Sequence, residues 1–395
     1  MPPNTAAIPL SLTLLIAAMS SIGPFAIDTY LPAFRAMATD LSASQIEIQQ
    51  TLTAYMLAFA GMALWHGALA DRYGRRPVLI GMLLVFAVAS LLCAMTTRIE
   101  WLWAGRALQG LAGGAGMILG RAIVRDLYDG AQAQRLMART MAVFALAPAI
   151  APVIGGFILK FAGWRAIFVF LALFASVLAW QVHRRLPETL ADDARQSLNP
   201  ANLLRGYRDI FTNPRFILLS LAGASAFNGF FVYVMSAPMF VMTHLSMGET
   251  DFGWLFGPIT LGMIAGASLS SRFAGRLSAV RVVAIGFVLM AVAAAWNIVG
   301  SGLEIKTLPW VILPLTLYNV GLALVLPIVS LFALDLFPAR RGMASSCQSF
   351  LQTGINATLA GAIVPLVWGS LMNLALTMVV CLALGYFMLR LARRA

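Results

Sequence analysis

Two runs of the chain, Ile48 to Trp65 and Pro77 to Thr97, contain no Asp, Glu, Lys, Arg or His, while the segment between them, GALADRYGRR (67–76), gathers Asp71, Arg72, Arg75 and Arg76. A helix needs roughly 20 residues, at about 1.5 Å each, to cross the hydrocarbon of a bilayer. Each flank is long enough, and the charged segment then reads as a tight hairpin at a membrane surface. No soluble arrangement accounts for both flanks at once.

The pattern repeats. Uncharged runs recur at 140–159, 166–182, 216–243, 252–271, 282–303 and 307–334, and Trp101 to Gly120 is interrupted only by Arg106. Gly342 to Leu389 is free of ionisable Asp, Glu, Lys, Arg and His over 48 residues, enough for two crossings that turn near WGSLMN. Met1 to Ile27 is apolar but has no Lys or Arg to make the basic start of a signal peptide, so it reads as a retained first span. Twelve spans result. Only 11% of residues are charged and the mean hydropathy is +0.86, against about 25% charged in soluble domains.

Basic residues near span ends favour the cytoplasmic side. With both termini cytoplasmic, every Lys and Arg falls on that side except Arg35, Arg98, Lys160, Arg165, Lys306 and the mid-membrane Arg106. The net charge of +12 therefore reflects topology and gives no reason to invoke nucleic acid. The long polar stretch HRRLPETLADDARQSLNPANLLRGYRD (183–209) divides six spans from six and suits a cytoplasmic linker with one amphipathic helix. The expected organisation is a six-helix bundle over 1–186, a linker over 187–213 and a second six-helix bundle over 214–395. SLSSRFAGR (268–276) weakly echoes ALADRYGRR (68–76), with Ser271 in place of Asp71, as an internal duplication would leave it.

The hairpin resembles the G-x-L-A-D-R-x-G-R-R motif of the major facilitator superfamily. IDTYLPAF in span 1, GRALQGLAGGAG and GRAIVRDLY in span 4, APAIAPVIGGFI and GWRAIF in spans 5 and 6, and YVMSAP in span 7 are similar to the Bcr/CflA drug-resistance exporters, proton-coupled antiporters of that superfamily. The resemblance covers nearly the whole chain and implies an all-α membrane protein of two pseudosymmetric bundles. It also implies a monomer in the bacterial inner membrane that needs no cofactor and exchanges small amphipathic compounds for protons. An exporter of one physiological metabolite on the same fold is the alternative.

The motifs have physical readings of their own. Gly67 and Gly74 permit a tight turn and close helix approach. Asp71 can accept from Arg72, Arg75 or Arg76, or lie against the positive end of another helix; the resemblance implies a gate contact with the start of span 11 near Gly342, with Asp126 in the same network. Plain anchoring of the arginines on the cytoplasmic side is the competing account. Asp28, roughly 27 Å along span 1 from Leu10, and Arg106, roughly 8 Å into span 4 from Trp101, both reach the outer half of the membrane. Charges at such depth are costly unless paired or wet. Together they form either a proton-coupling pair or a fixed structural ion pair, unless Asp28 has reached the interface.

Pro148 and Pro152 bend span 5, and Gly155 and Gly156 permit close packing. The resemblance makes these an antiporter motif, with Ala151 replacing the usual first glycine. Gln348, Gln352 and Asn356 share one face of span 11, where amides line a wet cavity or bond neighbouring helices. Tyr30, Tyr55, Phe231, Tyr233 and Asn319 are further candidates for a substrate cavity, or are ordinary packing. His66, His183 and His244 sit near span ends and read as interfacial, and Cys93, Cys347 and Cys381 as packing residues. No metal-ligand spacing, no nucleophile beside a base and no phosphate-binding G-x-x-x-x-G-K-[ST] loop is present. Neither an enzyme nor an ATP-driven pump is expected.

Overall fold

The computed structural model describes residues 9–128, 130–191, 195, 200–273 and 276–394; the middle of the expected linker and part of the 268–276 echo lie outside them. Among the described residues there are helices and turns but no strands. The spans are Leu10–Asp28, which continues through short turns to Asp40; Gln45–Tyr73; Arg75–Met95; Ile99–Gly113 with Ala115–Leu127; Gly130–Phe144 with Ala147–Ala162; and Trp164–Arg185. After a linker helix, Pro200–Phe211, come Pro214–Met235, Gly253–Phe273, Ala279–Gly302, Leu308–Leu334, Arg341–Thr358 with its extension to Val367, and Leu371–Ala392. They are spans 1 to 12 below.

Eleven of these are long and apolar enough to cross a bilayer. Span 5 differs, because it is broken into two shorter helices at Ala145 and Leu146. Pro148 sits in the first turn of the second piece, where its missing N–H would have been unpaired in any case. It therefore starts a helix, and only Pro152 interrupts one. Leu84, Val88, Leu91 and Leu92 on span 3 are each about half exposed, a surface that acyl chains cover.

Packing follows a repeated scheme. Span 1 lies on spans 4, 5 and 6, span 2 on span 4, and span 3 on spans 4 and 6. Span 7 lies on spans 10, 11 and 12, span 8 on span 10, and span 9 on spans 10 and 12, which is the same scheme six spans later. Between the sets, span 2 meets span 11 and span 5 meets span 8, again related by six. Pseudosymmetry is thus stronger in the contacts than in the residues.

The two ends of the molecule differ. Away from the arginine-rich hairpins the sets are sealed: Arg35 donates to the Thr243 hydroxyl at 2.7 Å, and Gln50 donates to the Gly361 carbonyl at 3.0 Å. That carbonyl belongs to a π turn, Leu359–Ile363, whose wider winding opens the backbone to partners outside its own helix. A Cβ on Gly155 would run into the Thr29 carbonyl, and one on Gly156 into the Glu249 carbonyl of the other set. Gly156→Ala is therefore expected to destabilise the protein by about 1–3 kcal/mol through overpacking. Gly61→Ala, with nothing within 4 Å of the added atom, should not. Thermal unfolding in detergent compares them, and equal midpoints would refute the seal.

Candidate functional site

Between the two sets, on the arginine-rich face, lies a cavity of about 650 Å³. Spans 2 and 4 form one wall with Leu64, Gly67, Asp71, Arg121 and Arg125; spans 10 and 11 form the other with Asp335, Arg341, Gly342 and Ser345. Tyr207 of the linker helix also lines it. Its phenol donates to the Leu64 carbonyl, and burial pushes that phenol up to about 12, so it remains a donor at neutral pH. Gly67 has no close neighbour and faces the cavity, which corrects the expectation of close helix approach there.

The hairpin is held by a network. Gly74 adopts φ +100°, a conformation side chains disfavour, and this lets span 3 restart at once. Arg75 pairs with Asp71 and, through Nε at 3.2 Å, with Asp126. Asp71 and Gly342 both line the cavity, so the contact the resemblance implied between Asp71 and the start of span 11 is not made in this arrangement. Arg72 lies over the Tyr73 ring, and Arg76 donates to the His183 carbonyl at 2.6 Å.

A residue not singled out in the sequence completes the network. Glu188 accepts from the backbone N–H of Arg75 at 2.9 Å and of Arg76 at 3.2 Å, while Thr189 donates to Asp126 at 2.9 Å. A carboxylate thus caps the first turn of span 3 and meets the positive end of its dipole. The only local sign was Pro187-Glu188-Thr189 at the close of span 6, which has no helical period to betray a cap 113 residues away.

In the half away from the arginine-rich hairpins, Arg106 is fully buried and lies between the rings of Tyr30 and Tyr55, 4.4 and 4.6 Å from their centroids. Its Nη1 donates to Gln109 at 2.7 Å, which donates to Ser90 at 2.7 Å. Nε and Nη2 have no hydrogen-bond partner among the described residues. Asp28 is 4% exposed and is not paired with Arg106, so the direct pair expected from the sequence is not formed. The rings of Tyr30 and Tyr55 cover the two faces of the guanidinium, and its free edge, Nε and Nη2, does not reach the Asp28 carboxylate. Tyr55 still lies within range of both charges. Gln109 was visible one turn after Arg106; Ser90, on another span, was not.

The remaining candidates scatter. Tyr30, Tyr55, Phe231, Tyr233, Asn319 and Asn356 are buried, Gln348 and Gln352 are half-buried, and none of the eight lines the cavity. Packing explains this: Tyr233 binds Asn297, Asn319 its own helix at Leu315, and Asn356 accepts from Asn228 at 2.9 Å. Gln348 accepts from Ser330 at 2.7 Å, beside the cavity-lining Ser349. His66, read as interfacial, is fully buried with neither ring nitrogen bonded, because the helix of span 2 runs on to Tyr73.

Two substitutions test this geometry. Glu188→Ala should cost about 1–2 kcal/mol by uncapping span 3, read as a lower unfolding midpoint; an unchanged midpoint would show the cap to be idle. Arg106→Lys should reduce transport strongly, since a compact ammonium does not fill a flat slot between two rings. Retention of wild-type rates by a monodisperse Arg106→Lys protein would show that charge alone suffices.

The Major Facilitator Superfamily profile matches residues 13–361. A Bacillus subtilis protein described as an uncharacterized MFS-type transporter, YdgK, is 31% identical, with 93% of this chain and 96% of that protein aligned. A Haemophilus influenzae bicyclomycin resistance protein homolog is 27% identical, over 94% of this chain and 93% of the relative. Among solved structures, an inward-facing, unoccupied bacterial homolog of the human lysosomal transporter Spinster superposes with a TM-score of 0.69 at 16% identity, covering 98% of this chain and 96% of that one. Its likeness is one of fold. With eleven helices long and apolar enough to cross a bilayer among the described residues, a repeated packing scheme and a family profile spanning most of its length, the chain belongs to the Major Facilitator Superfamily and is a membrane transport protein of the Bcr/CflA drug-resistance type rather than an enzyme.

Proposed function

We propose that this protein is a proton-coupled antiporter that exports small amphipathic compounds across the bacterial inner membrane by alternating access. The observation that carries the reading is Asp28, a carboxyl group buried in the outer half of the membrane with no ion-pair partner among the described residues. An ionised carboxylate there is costly, whereas a protonated one is not. The bilayer-embedded carboxyl is therefore a proton site, and Arg106, held between Tyr30 and Tyr55, is the buried cation it couples to in this reading.

In this proposal both termini and the arginine-rich hairpins are cytoplasmic, so the cavity faces the cytoplasm. Its volume suits a drug-sized ligand. The relative named for bicyclomycin resistance supports that substrate class. Residues 1–186 and 214–395 move as two bodies joined by 187–213, in a monomer. Gln348 and Gln352 form the inner end of the substrate path, and the tyrosines around Arg106 connect it to Asp28. When the cytoplasmic side closes, Asp71 reaches the start of span 11 and holds it shut. Protonation of Asp28 from outside and deprotonation toward the cytoplasm then drive the outward step.

Asp28→Asn is expected to abolish uphill export while insertion is retained. Everted vesicles with an imposed pH gradient provide the measurement, and normal proton-driven accumulation by the variant would remove Asp28 from the mechanism. Asp71→Asn should slow turnover with substrate affinity held within a few-fold, because it acts on closure. A large loss of affinity at an unchanged maximal rate would contradict the gate.

A further inference from the structure

The charges around the cavity do not cancel. Three carboxylates line it, and each is already engaged: Asp71 and Asp126 by Arg75, and Asp335 by Arg341 at 2.7 Å. Arg340, also on the lining, is held by Asp209 at 3.0 Å. Arg121 and Arg125 remain. They stand one turn apart on span 4, both solvent-accessible, both on the cavity wall, and neither has a hydrogen bond or ion pair among the described residues.

The facing wall is rich in donors. Ser345, Ser346 and Ser349 line the cavity, and none of their hydroxyls bonds to a described residue. The helix Arg341–Thr358 begins there without a side-chain cap, so the first-turn amides at Gly342 and Met343 add a positive dipole end. Two free guanidinium groups, three free hydroxyls and an uncapped helix start thus converge on one space. Arg75 serves two of the three carboxylates, yet five guanidinium groups line the cavity and no described carboxylate pairs with Arg121 or Arg125.

We infer that this cavity holds an oxyanion-binding subsite, with Arg121 and Arg125 gripping the carboxylate of an amphipathic substrate whose apolar body lies against Leu64, Ile118 and Leu331. A guanidinium binds a carboxylate through two parallel hydrogen bonds, and the low-dielectric walls around the cavity strengthen that contact relative to bulk water. The compounds favoured at the cytoplasmic entrance are therefore amphipathic anions and zwitterions. Permanently cationic ones meet repulsion. The inference deepens the export reading above and rests on it for direction of movement, but binding itself is independent of proton coupling.

The test uses the full chain in phosphatidylcholine nanodiscs, with equilibrium dialysis of naphthoate and its neutral isostere naphthamide. The wild-type protein should bind naphthoate about tenfold or more tighter, the scale of one hydrogen bond to a charged group, and added salt should reduce that preference. Arg121→Gln combined with Arg125→Gln should bring the ratio to about one, and lysine at both positions should restore part of it. Because the ratio is taken within one protein, a general loss of binding sites does not imitate the result. Equal affinities in the wild type, or a ratio untouched by the double substitution, would overturn the inference even if neutral drugs are exported. Loss of proton-driven export with the ratio intact would instead remove the antiport reading. A parallel arm in phosphatidylglycerol nanodiscs identifies a lipid source: phosphatidylglycerol retained by the wild type and lost from the double variant in native mass spectrometry, with no naphthoate preference in phosphatidylcholine, assigns the subsite to a headgroup and overturns its role in substrate recognition.

Discussion

Hydrocarbon offers no water to complete an unmet hydrogen bond, and every charge retained within the spans must be accommodated by the protein. Arg106 is the severest case, fully buried with two of its nitrogens unbonded. Its accommodation organises the half of the first six spans that lies away from the arginine-rich hairpins. Tyr30 comes from the end of span 1 and Tyr55 from span 2, and the two rings enclose the guanidinium. Gln109 and Ser90 bring in spans 4 and 3, and Tyr30 is itself tied to Thr51 at 2.9 Å. One ion thus fixes the mutual position of four helices, and leaves Asp28 next to the site without a partner of its own.

The same constraint explains why the two ends of the protein are built differently. The sealed end relies on close backbone approach at Gly155 and Gly156 and on amides that meet exposed carbonyls, Gln50 on Gly361 and Gln49 on Ala360 at 3.3 Å. These contacts are short, uncharged and sensitive to a single methyl group. The open end relies on ionic links within each set of spans: Arg75 to Asp71 and Asp126 on one side, Arg341 to Asp335 on the other. Such links are complete without the opposite wall, so the cavity is stable while open. The linker helix spans the gap, bonded to Leu64 through Tyr207 and to Arg340 through Asp209.

Much of the candidate site was legible because it is written in local pattern. The hairpin motif located Asp71 and Arg75, the GRAIVRDLY segment of span 4 located Asp126, and the structure joins all three. Depth along a helix located Asp28 and Arg106, since rise per residue is constant. What failed was the choice of partner. The sequence placed the two charges at similar depth and suggested a pair, but rotation about each helix axis, set by packing, turned Arg106 toward rings instead. Periodicity likewise put Gln348, Gln352 and Asn356 on one face, while only the packing of spans 7 and 10 showed that Asn356 bonds Asn228 and Gln348 bonds Ser330.

By itself, the sequence determined how many spans to expect and where the charged hairpins fall, because run length and charge density act within a few residues; the break of span 5 at Ala145 and Leu146, ahead of both prolines, was not among them. Tertiary structure alone decided that Glu188 caps span 3, that one end is sealed and the other open, and that Arg121 and Arg125 are left free on a cavity wall. Those outcomes depend on groups far apart in the chain competing for the same partners, and that competition is settled only when the helices pack.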